Sequence, residues 1–455
     1  MEYDIIIIGA GPGGYVAAIR AAQLRKKVCL IEKGSLGGTC LNAGCIPTKS
    51  LLKSIDMMEE IKKNHMFGIE GIEVDKIHLN IDKLREKKND IVRTLVSGIE
   101  MLLKKNKVTV INGTATILDK NTVMVGDEKM YAESIIIATG SKPKKLLVPI
   151  SEKMPVLTSS EVLDLNKIYD SMVVIGGGVV GIELAYFLSS IGVKITIIEF
   201  LDRILPMVDK EITVLVEKQL SSMGITVITG ANVKEICNEK VIFSVNNKID
   251  EVMCDAIMVS VGREPNTESL ELENAGIKTS GSDIATNSKM QTNIKNIYAI
   301  GDVNGKSMLA HTASMEGIIA IDNICDGNNE IDYSIIPNAI YLNPEIASVG
   351  LTEDEAKEKY KKIKIGKFPM IGNGKSLIEG NQNGFIKIIC NDHNLEILGA
   401  HLYCARATDM ISELSLAMNL ECTADDMSKV IHPHPTISEG IAEAMYAVNG
   451  NSIHY

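Results

Sequence analysis

The chain of 455 residues has no tryptophan, only six phenylalanines and twelve tyrosines, and no apolar run near the ~18 residues that a membrane-spanning helix requires. Its opening, MEYDIIIIGAGPGG, has no basic segment ahead of the apolar stretch and no small-residue cleavage site, so Ile5 to Ile8 reads as a buried strand and not as an export signal. Basic charge is also scarce. Lysine and arginine total 47 against 58 aspartates and glutamates, for a net charge of −11, and a surface of that sign argues against nucleic acid as a partner. Short lysine runs such as Lys26-Lys27, Lys62-Lys63 and Lys104-Lys105 are expected on solvated faces. The nine cysteines are odd in number and scattered apart from one pair, which excludes a secreted disulfide scaffold and points to a reducing cytoplasm. No metal is expected. With 45% hydrophobic residues, the chain has the length and composition of roughly three globular domains.

The exceptional pair is Cys40 and Cys45, in GGTCLNAGCIPTK. A regular helix turns ~100° per residue, so residues five apart lie on different faces, beyond the roughly 7 Å between Cα atoms that a disulfide tolerates. A bridge would therefore require a distorted segment, and Gly44 offers the freedom for one. A strained bond is easily reduced, which suits catalysis better than structure. Gly37-Gly38, the cap-like Thr39, Pro47 and Lys49 together read as an interrupted helix start, where positive potential favours thiolates.

Two stretches share one pattern. YDIIIIGAGPGGYVAAIRAAQLRKKVCLIEK is a strand, a glycine turn with Gly9, Gly11 and Gly14, an alanine-rich helix and a second strand ending at Glu32. SMVVIGGGVVGIELAYFLSSIGVKITIIEF repeats it with Gly176, Gly178, Gly181 and Glu199. The glycines make a tight turn, leave room for a pyrophosphate at the helix N-terminus and let helix pack closely on strand. The acid falls 18 positions beyond the last glycine in both copies, placed to accept hydrogen bonds from ribose hydroxyls. Two full fingerprints imply two nucleotide cofactors. Glu199 favours NAD over NADP, because a carboxylate there repels a 2′-phosphate, although Arg203 lies four positions on.

Strand-then-glycine punctuation follows each copy, at Thr139-Gly140 and at Gly262, and NIYAIGDV brings a third apolar run to Gly301-Asp302. After about residue 336 short β-rich segments alternate with the helical runs TEDEAKEKY and ATDMISELSLAMN, as in a separate domain. Near its end, HPHPTISEG offers two competing histidines, His432 and His434, with Thr436 as a plausible helix cap and Glu439 either orienting an imidazole or completing a capping box. Histidine suits thiol chemistry because it takes and returns a proton near neutral pH. His311 is expected to be structural.

These parts together resemble the pyridine nucleotide-disulfide oxidoreductases, and among them the dihydrolipoamide dehydrogenases. The resemblance runs essentially end to end, through GGTCLNAGCIPTK, GGGVVGIE, GREPN, AIGDV, MLAHTASMEG, YLNPE and HPHPTISE. It implies an α/β fold with two Rossmann-like dinucleotide-binding domains and a C-terminal α+β interface or dimerisation domain. The divisions expected are 1–145 (FAD, first part), 146–265 (NAD), 266–335 (central, completing the FAD site) and 336–455 (interface). It implies FAD at the first fingerprint and NAD at the second. Cys40 would be the interchange thiol and Cys45 the thiolate against the flavin. Lys49 would approach the flavin and pair with Glu183, and Asp302 would hold the ribitol chain. His434 would be the acid-base residue with Glu439 as its partner, entering the site from the other subunit of a homodimer. The chain lacks an N-terminal lipoyl domain, so lipoamide would arrive on another protein, an E2 component or a glycine cleavage H protein. The terminus NGNSIHY has no cysteine pair, which disfavours mercuric reductase and high-molecular-weight thioredoxin reductase. Glu199 disfavours glutathione reductase.

Overall fold

The computed structural model describes residues 2–455. The first unit runs β1 (Glu2–Ile8), α1 (Pro12–Gln23), β2 (Val28–Glu32), α2 (Gly38–Ala43), α3 (Cys45–Lys62), α4 (Ile81–Lys105), β3 (Thr109–Asn112), β4 (Ala115–Ile117), β5 (Thr122–Val125) and β6 (Glu128–Ile137). The sheet order is β3-β2-β1-β6-β5-β4. β1 pairs in parallel with β2 and β6, and its isoleucines Ile5 to Ile8 are buried on both faces. Covered parallel strands read as continuous apolar runs for this reason.

The second unit repeats the design. β7 (Ser141–Pro143) leads to β8 (Val156–Leu157), α5 (Ser159–Leu163), β9 (Ser171–Ile175), α6 (Val179–Ser190), β10 (Lys194–Ile198), α7 (Lys210–Ser222) and β11 (Thr226–Ile228). An antiparallel trio follows, β12 (Ala231–Ile236), β13 (Lys240–Val245) and β14 (Lys248–Met253), and β15 (Ala256–Val259) completes a sheet of order β11-β10-β9-β15-β8. β16 (Arg263–Pro265) pairs antiparallel with β7. One short ribbon therefore carries the chain both into and out of this unit. After the hairpin β17 (Thr279–Ser280) and β18 (Asp283–Ile284), β19 (Ile297–Ala299) returns to the first sheet beside β6. α8 (Ala310–Ile324) then packs on α1.

The C-terminal part holds β20 (Asn338–Ile340), β21 (Glu345–Gly350), α9 (Glu353–Lys359), β22 (Ile363–Pro369), α10 (Gly374–Ile378), β23 (Phe385–Asn391), β24 (Ile397–Cys404), α11 (Ala407–Asn419), α12 (Ala424–Met427) and α13 (Glu439–Val448). Its antiparallel sheet has the order β20-β21-β24-β23-β22. Ile411 and Leu414 of α11 and Ile441 and Met445 of α13 pack on this sheet. Ile340, Leu342, Phe385 and Tyr403 join instead the core that contains Val216 and Leu220 of α7. This domain is thus seated on the second unit through apolar contact. Among the described residues no helix is long and apolar enough to cross a membrane.

Candidate active site

Both glycine turns have the same geometry. A Cβ on Gly14 would lie 1.8 Å from Gly9 O, and one on Gly181 would lie 2.2 Å from Gly176 O, so helix and strand approach closer than any side chain allows. Glu32 accepts from the amides of Ala10 (2.6 Å) and Gly34 (2.8 Å). Glu199 accepts from Gly177 (2.5 Å) and Leu201 (2.7 Å). Each acid therefore braces its own glycine turn from inside. α1 and α6 are N-capped by Gly11 and Gly178 with no side chain on their first amides. A Cβ on Gly178 would meet nothing within 4 Å, and one on Gly11 only Gly38 Cα, at 4.0 Å. Free amides at a helix N-terminus beneath open space fit a pyrophosphate.

The cysteine segment is docked on the first of these turns. Gly37 N donates to Ala10 O at 2.8 Å, and a Cβ on Gly38 would lie 2.7 Å from Gly11 Cα. Gly37 (φ +89°) and Gly38 (φ +58°) both occupy the left-handed region, a conformation that glycine adopts without steric cost. Gly37 is the N-cap of α2, and Thr39 lies inside that helix. The reading of Thr39 as cap-like is thus corrected, because the paired glycines already turn the chain. The expected interruption is at Gly44 (φ −146°, ψ −111°), which separates α2 from α3. A Cβ there would stand 3.0 Å from Thr39 O.

Cys40 ends its path half-buried and Cys45 exposed, both as free thiols. Cys45 is the first residue of the 18-residue helix α3. The Cys40 thiol donates to Cys45, which lowers the Cys45 pKa to about 7 against the desolvation of its sulfur by the atoms packed around it, with the Lys49 ammonium assisting and Glu183 opposing. Cys40, the donor, is pushed well up by the same bond and by burial. The shared bond thus favours the thiolate at Cys45 and the protonated thiol at Cys40, a bias that lets a dithiol react selectively.

Lys49, one turn beyond Cys45, places Nζ 2.7 Å from Glu183 Oε2, whose side chain is 2% exposed. Glu183 lies in α6, so this ion pair joins the two nucleotide-binding units. Asp302 follows the end of β19 and accepts from Ser141 Oγ. Arg263 donates to both Ser141 Oγ and Ser141 O at 2.7 Å and stands 3.8 Å from Asp302. Thr139 Oγ1 donates to Asn266 O at 2.7 Å, and Asn266 N donates to Gly140 O at 2.9 Å. The glycine turns at Gly140 and Gly262 thus sit at the two ends of one stitched ribbon.

The two histidines are sorted by their surroundings. His432, 6% exposed, pairs with Glu413 at 2.9 Å, and that bond raises its pKa. His434 is 78% exposed, with Nδ1 2.9 Å from Glu439 Oε1. Burial pushes Glu439 up, but the Thr436 amide and the His434 ring hold it below the ordinary carboxylate range. Thr436 is not the cap of α13: Ser438 occupies that position, and the Thr436 hydroxyl donates to Pro433 O at 2.7 Å. Only half of the expected capping box forms, the Thr436 N to Glu439 bond at 2.7 Å. Among the described residues no hydrogen bond joins His434 to either thiol of its own chain. His311 is exposed at the start of α8 and bonds Pro337 O through Nε2 at 2.9 Å.

Residues 3–317 match the pyridine nucleotide-disulphide oxidoreductase family, and residues 336–445 match the dimerisation domain of that family. The chain belongs to this family. Among its relatives are a dihydrolipoyl dehydrogenase of Bacillus subtilis (strain 168), 42% identical with 100% of this chain and 99% of the relative covered, and one of Geobacillus stearothermophilus, 39% identical with 100% and 98% covered. A solved structure, the HOCl-induced flavoprotein disulfide reductase RclA from Escherichia coli, superposes with a TM-score of 0.86 at 26% identity, covering 97% of this chain and 99% of that one. As a pyridine nucleotide-disulphide oxidoreductase with the dimerisation domain, the chain forms a homodimer. Its exposed His434 projects from that domain.

Several residues that support the site lie within motifs visible in the sequence, but their partners are distant in the chain. Fully buried Glu316 accepts from Gly301 N (2.5 Å), Asn304 Nδ2 (3.0 Å) and Tyr333 OH (2.5 Å), and so holds the turn that presents Asp302. Arg263 sits within GREPN, yet its target Ser141 is 122 residues away. Tyr341 sits within YLNPE and meets both Lys49 and Glu183.

Proposed function

We propose that this oxidoreductase is a dihydrolipoyl dehydrogenase. It oxidises a protein-borne dihydrolipoyl group through Cys40 and Cys45 and passes the electrons by way of FAD to NAD⁺. The observation that carries the proposal is the position of the thiol pair: it is docked on the first glycine turn and linked through Lys49 to the helix of the second. In this reading residues 1–145 and 266–335 build the FAD domain, 146–265 the NAD domain and 336–455 the interface. Gly9, Gly11, Gly14, Glu32, Thr139, Gly140 and Asp302 serve FAD. Gly176, Gly178, Gly181, Glu199 and Gly262 serve NAD. The Arg203 guanidinium is engaged with Pro206 O at 2.7 Å, in keeping with NAD over NADP.

His434, held by Glu439 and supplied by the partner subunit, takes the proton from one lipoyl thiol. The resulting thiolate attacks Cys40 Sγ, the Cys40-Cys45 bond breaks, and Cys45 leaves as thiolate. The second lipoyl thiol then attacks the first sulfur, expelling Cys40 and closing the lipoyl disulfide; of the two protons released, one stays on the His434 imidazole and the other ends on the departing Cys40 thiol. The lipoyl group has lost two electrons and two protons, and the cysteine pair has gained the two electrons. FAD held by the first glycine turn and Asp302 would supply two-electron transfer between the dithiol and NAD⁺. Lys49, fixed by Glu183, stands one turn from Cys45 and favours its thiolate. The lipoyl carrier is an E2 component or a glycine cleavage H protein, and the compartment is the cytoplasm.

Steady-state turnover of lipoamide, glutathione disulfide and thioredoxin with NADH and with NADPH tests this. Lipoamide with NADH should exceed every other combination by at least ~10²-fold. A preference for either other disulfide, or for NADPH, would overturn it.

A further inference from the structure

We infer that Tyr341 is a positioning residue through which the C-terminal domain fixes the Lys49–Glu183 pair beside Cys45. Two contacts converge on it, and a third closes the triangle between their partners. The Lys49 ammonium lies 4.7 Å from the centroid of the Tyr341 ring. Tyr341 N donates to Glu183 Oε1 at 2.9 Å, and Glu183 Oε2 receives Lys49 at 2.7 Å. Both oxygens of a buried carboxylate are thereby satisfied, one by the lysine and one by the tyrosine backbone, as burial of a charge demands. The ring takes the other flank of the ammonium, where a cation over an aromatic face is held electrostatically and water is kept away.

The position of Tyr341 is set from elsewhere. Its neighbours Ile340 and Leu342 are each 3% exposed and belong to the core shared with α7. In the same turn, Asn343 O accepts from Gln219 Nε2 of α7 at 2.6 Å. Ile340 ends β20, and the ring of Tyr341, the next residue, is itself partly buried against this core while Lys49 stands over it. Seating of the dimerisation domain on the NAD unit is therefore transmitted to the charge beside the thiolate. The groups that act on Cys45 are Lys49, Glu183 and, from β16, Arg263, with Cys40 as its thiol donor. Removal of the ring admits water around Lys49, weakens its hold on the thiolate and shifts the Cys45 titration upward.

This inference rests on the proposed redox role of Cys45, and its test needs no lipoyl substrate. In holoenzyme carrying Cys40→Ser, the long-wavelength absorbance of the Cys45 thiolate against the flavin is titrated with pH, alone and combined with Tyr341→Phe or Tyr341→Leu. Dimer mass and melting temperature serve as fold controls. The phenylalanine variant, which keeps ring and backbone, should titrate with the parent. The leucine variant should titrate about 0.5 to 1 pH unit higher. If the leucine variant does not fold, Tyr341→Met replaces it with the same two outcomes. A parent without a pH-dependent band overturns the redox reading and this inference together. A parent that titrates alongside an unshifted leucine variant, or a phenylalanine variant shifted as far as the leucine one, overturns this inference alone.

Discussion

Lys49 of the first nucleotide-binding unit and Glu183 of the second are joined by a 2.7 Å ion pair one helical turn beyond Cys45. Because Lys49 favours the Cys45 thiolate and Glu183 opposes it, their removal should move the thiol in opposite directions. Glu183→Gln should bring the titration midpoint of Cys45 below about 7, and Lys49→Met should raise it. The pH dependence of the long-wavelength thiolate band reads both. Equal shifts in one direction would mean that the pair acts on packing and not on charge.

Cys40→Ser should abolish lipoamide turnover and leave a protein whose spectrum still responds to ionisation of Cys45. The serine hydroxyl retains a donor for the thiolate but cannot form the mixed disulfide. Retained lipoamide turnover would reverse the roles of the two cysteines.

The two histidines should separate cleanly. His434→Gln is expected to lower turnover at least ~10²-fold, the usual scale of a general base, with unchanged melting. Glu413→Gln, which strips His432 of its partner, should leave turnover nearly unchanged and cost about 1–2 kcal/mol of stability, and only in acid. The sign follows from the raised pKa of His432. The bond to Glu413 stabilises the fold below the ordinary histidine value near ~6.5, and the contribution is lost as pH rises through the folded value. Denaturant midpoints at pH 6 and pH 9 would show the difference.

Lys387, 1% exposed in the middle of β23, meets Asp209 at 3.0 Å, Glu211 at 2.8 Å and Glu353 at 2.6 Å. Burial opposes its charge, but the three carboxylates more than compensate and raise its pKa. Lys387→Met leaves those carboxylates facing each other, which should cost ~3–5 kcal/mol. Urea unfolding of the dimer measures this loss. A neutral outcome would show that water reaches the cluster.

Legibility in the sequence followed the range of the interaction. The two fingerprints were readable because glycine spacing is dictated by a turn, a phosphate and a helix contact within one unit, as Gly14 against Gly9 and Gly181 against Gly176 demonstrate. The break at Gly44 was readable because an unbroken helix cannot bring residues five apart together. Caps were less secure. Thr39 lost its place to Gly37, whose left-handed backbone turns the chain, and Thr436 to Ser438, a second small hydroxyl residue near the same helix start. Lys387 in GFIKIIC looks like an ordinary strand residue, and its partner Asp209 is 178 positions away. Tyr341 contacts Glu183 across 158 positions. No local pattern encodes either contact.

In the proposed catalyst one dithiol and one flavin exchange electrons. Anaerobic titration of the purified holoenzyme with a quantified reductant counts them directly: about four electrons should be taken up per flavin, two by the ring and two by Cys40 and Cys45, with a long-wavelength band appearing at the halfway point. Uptake of only about two electrons per flavin, with no intermediate band, would contradict it.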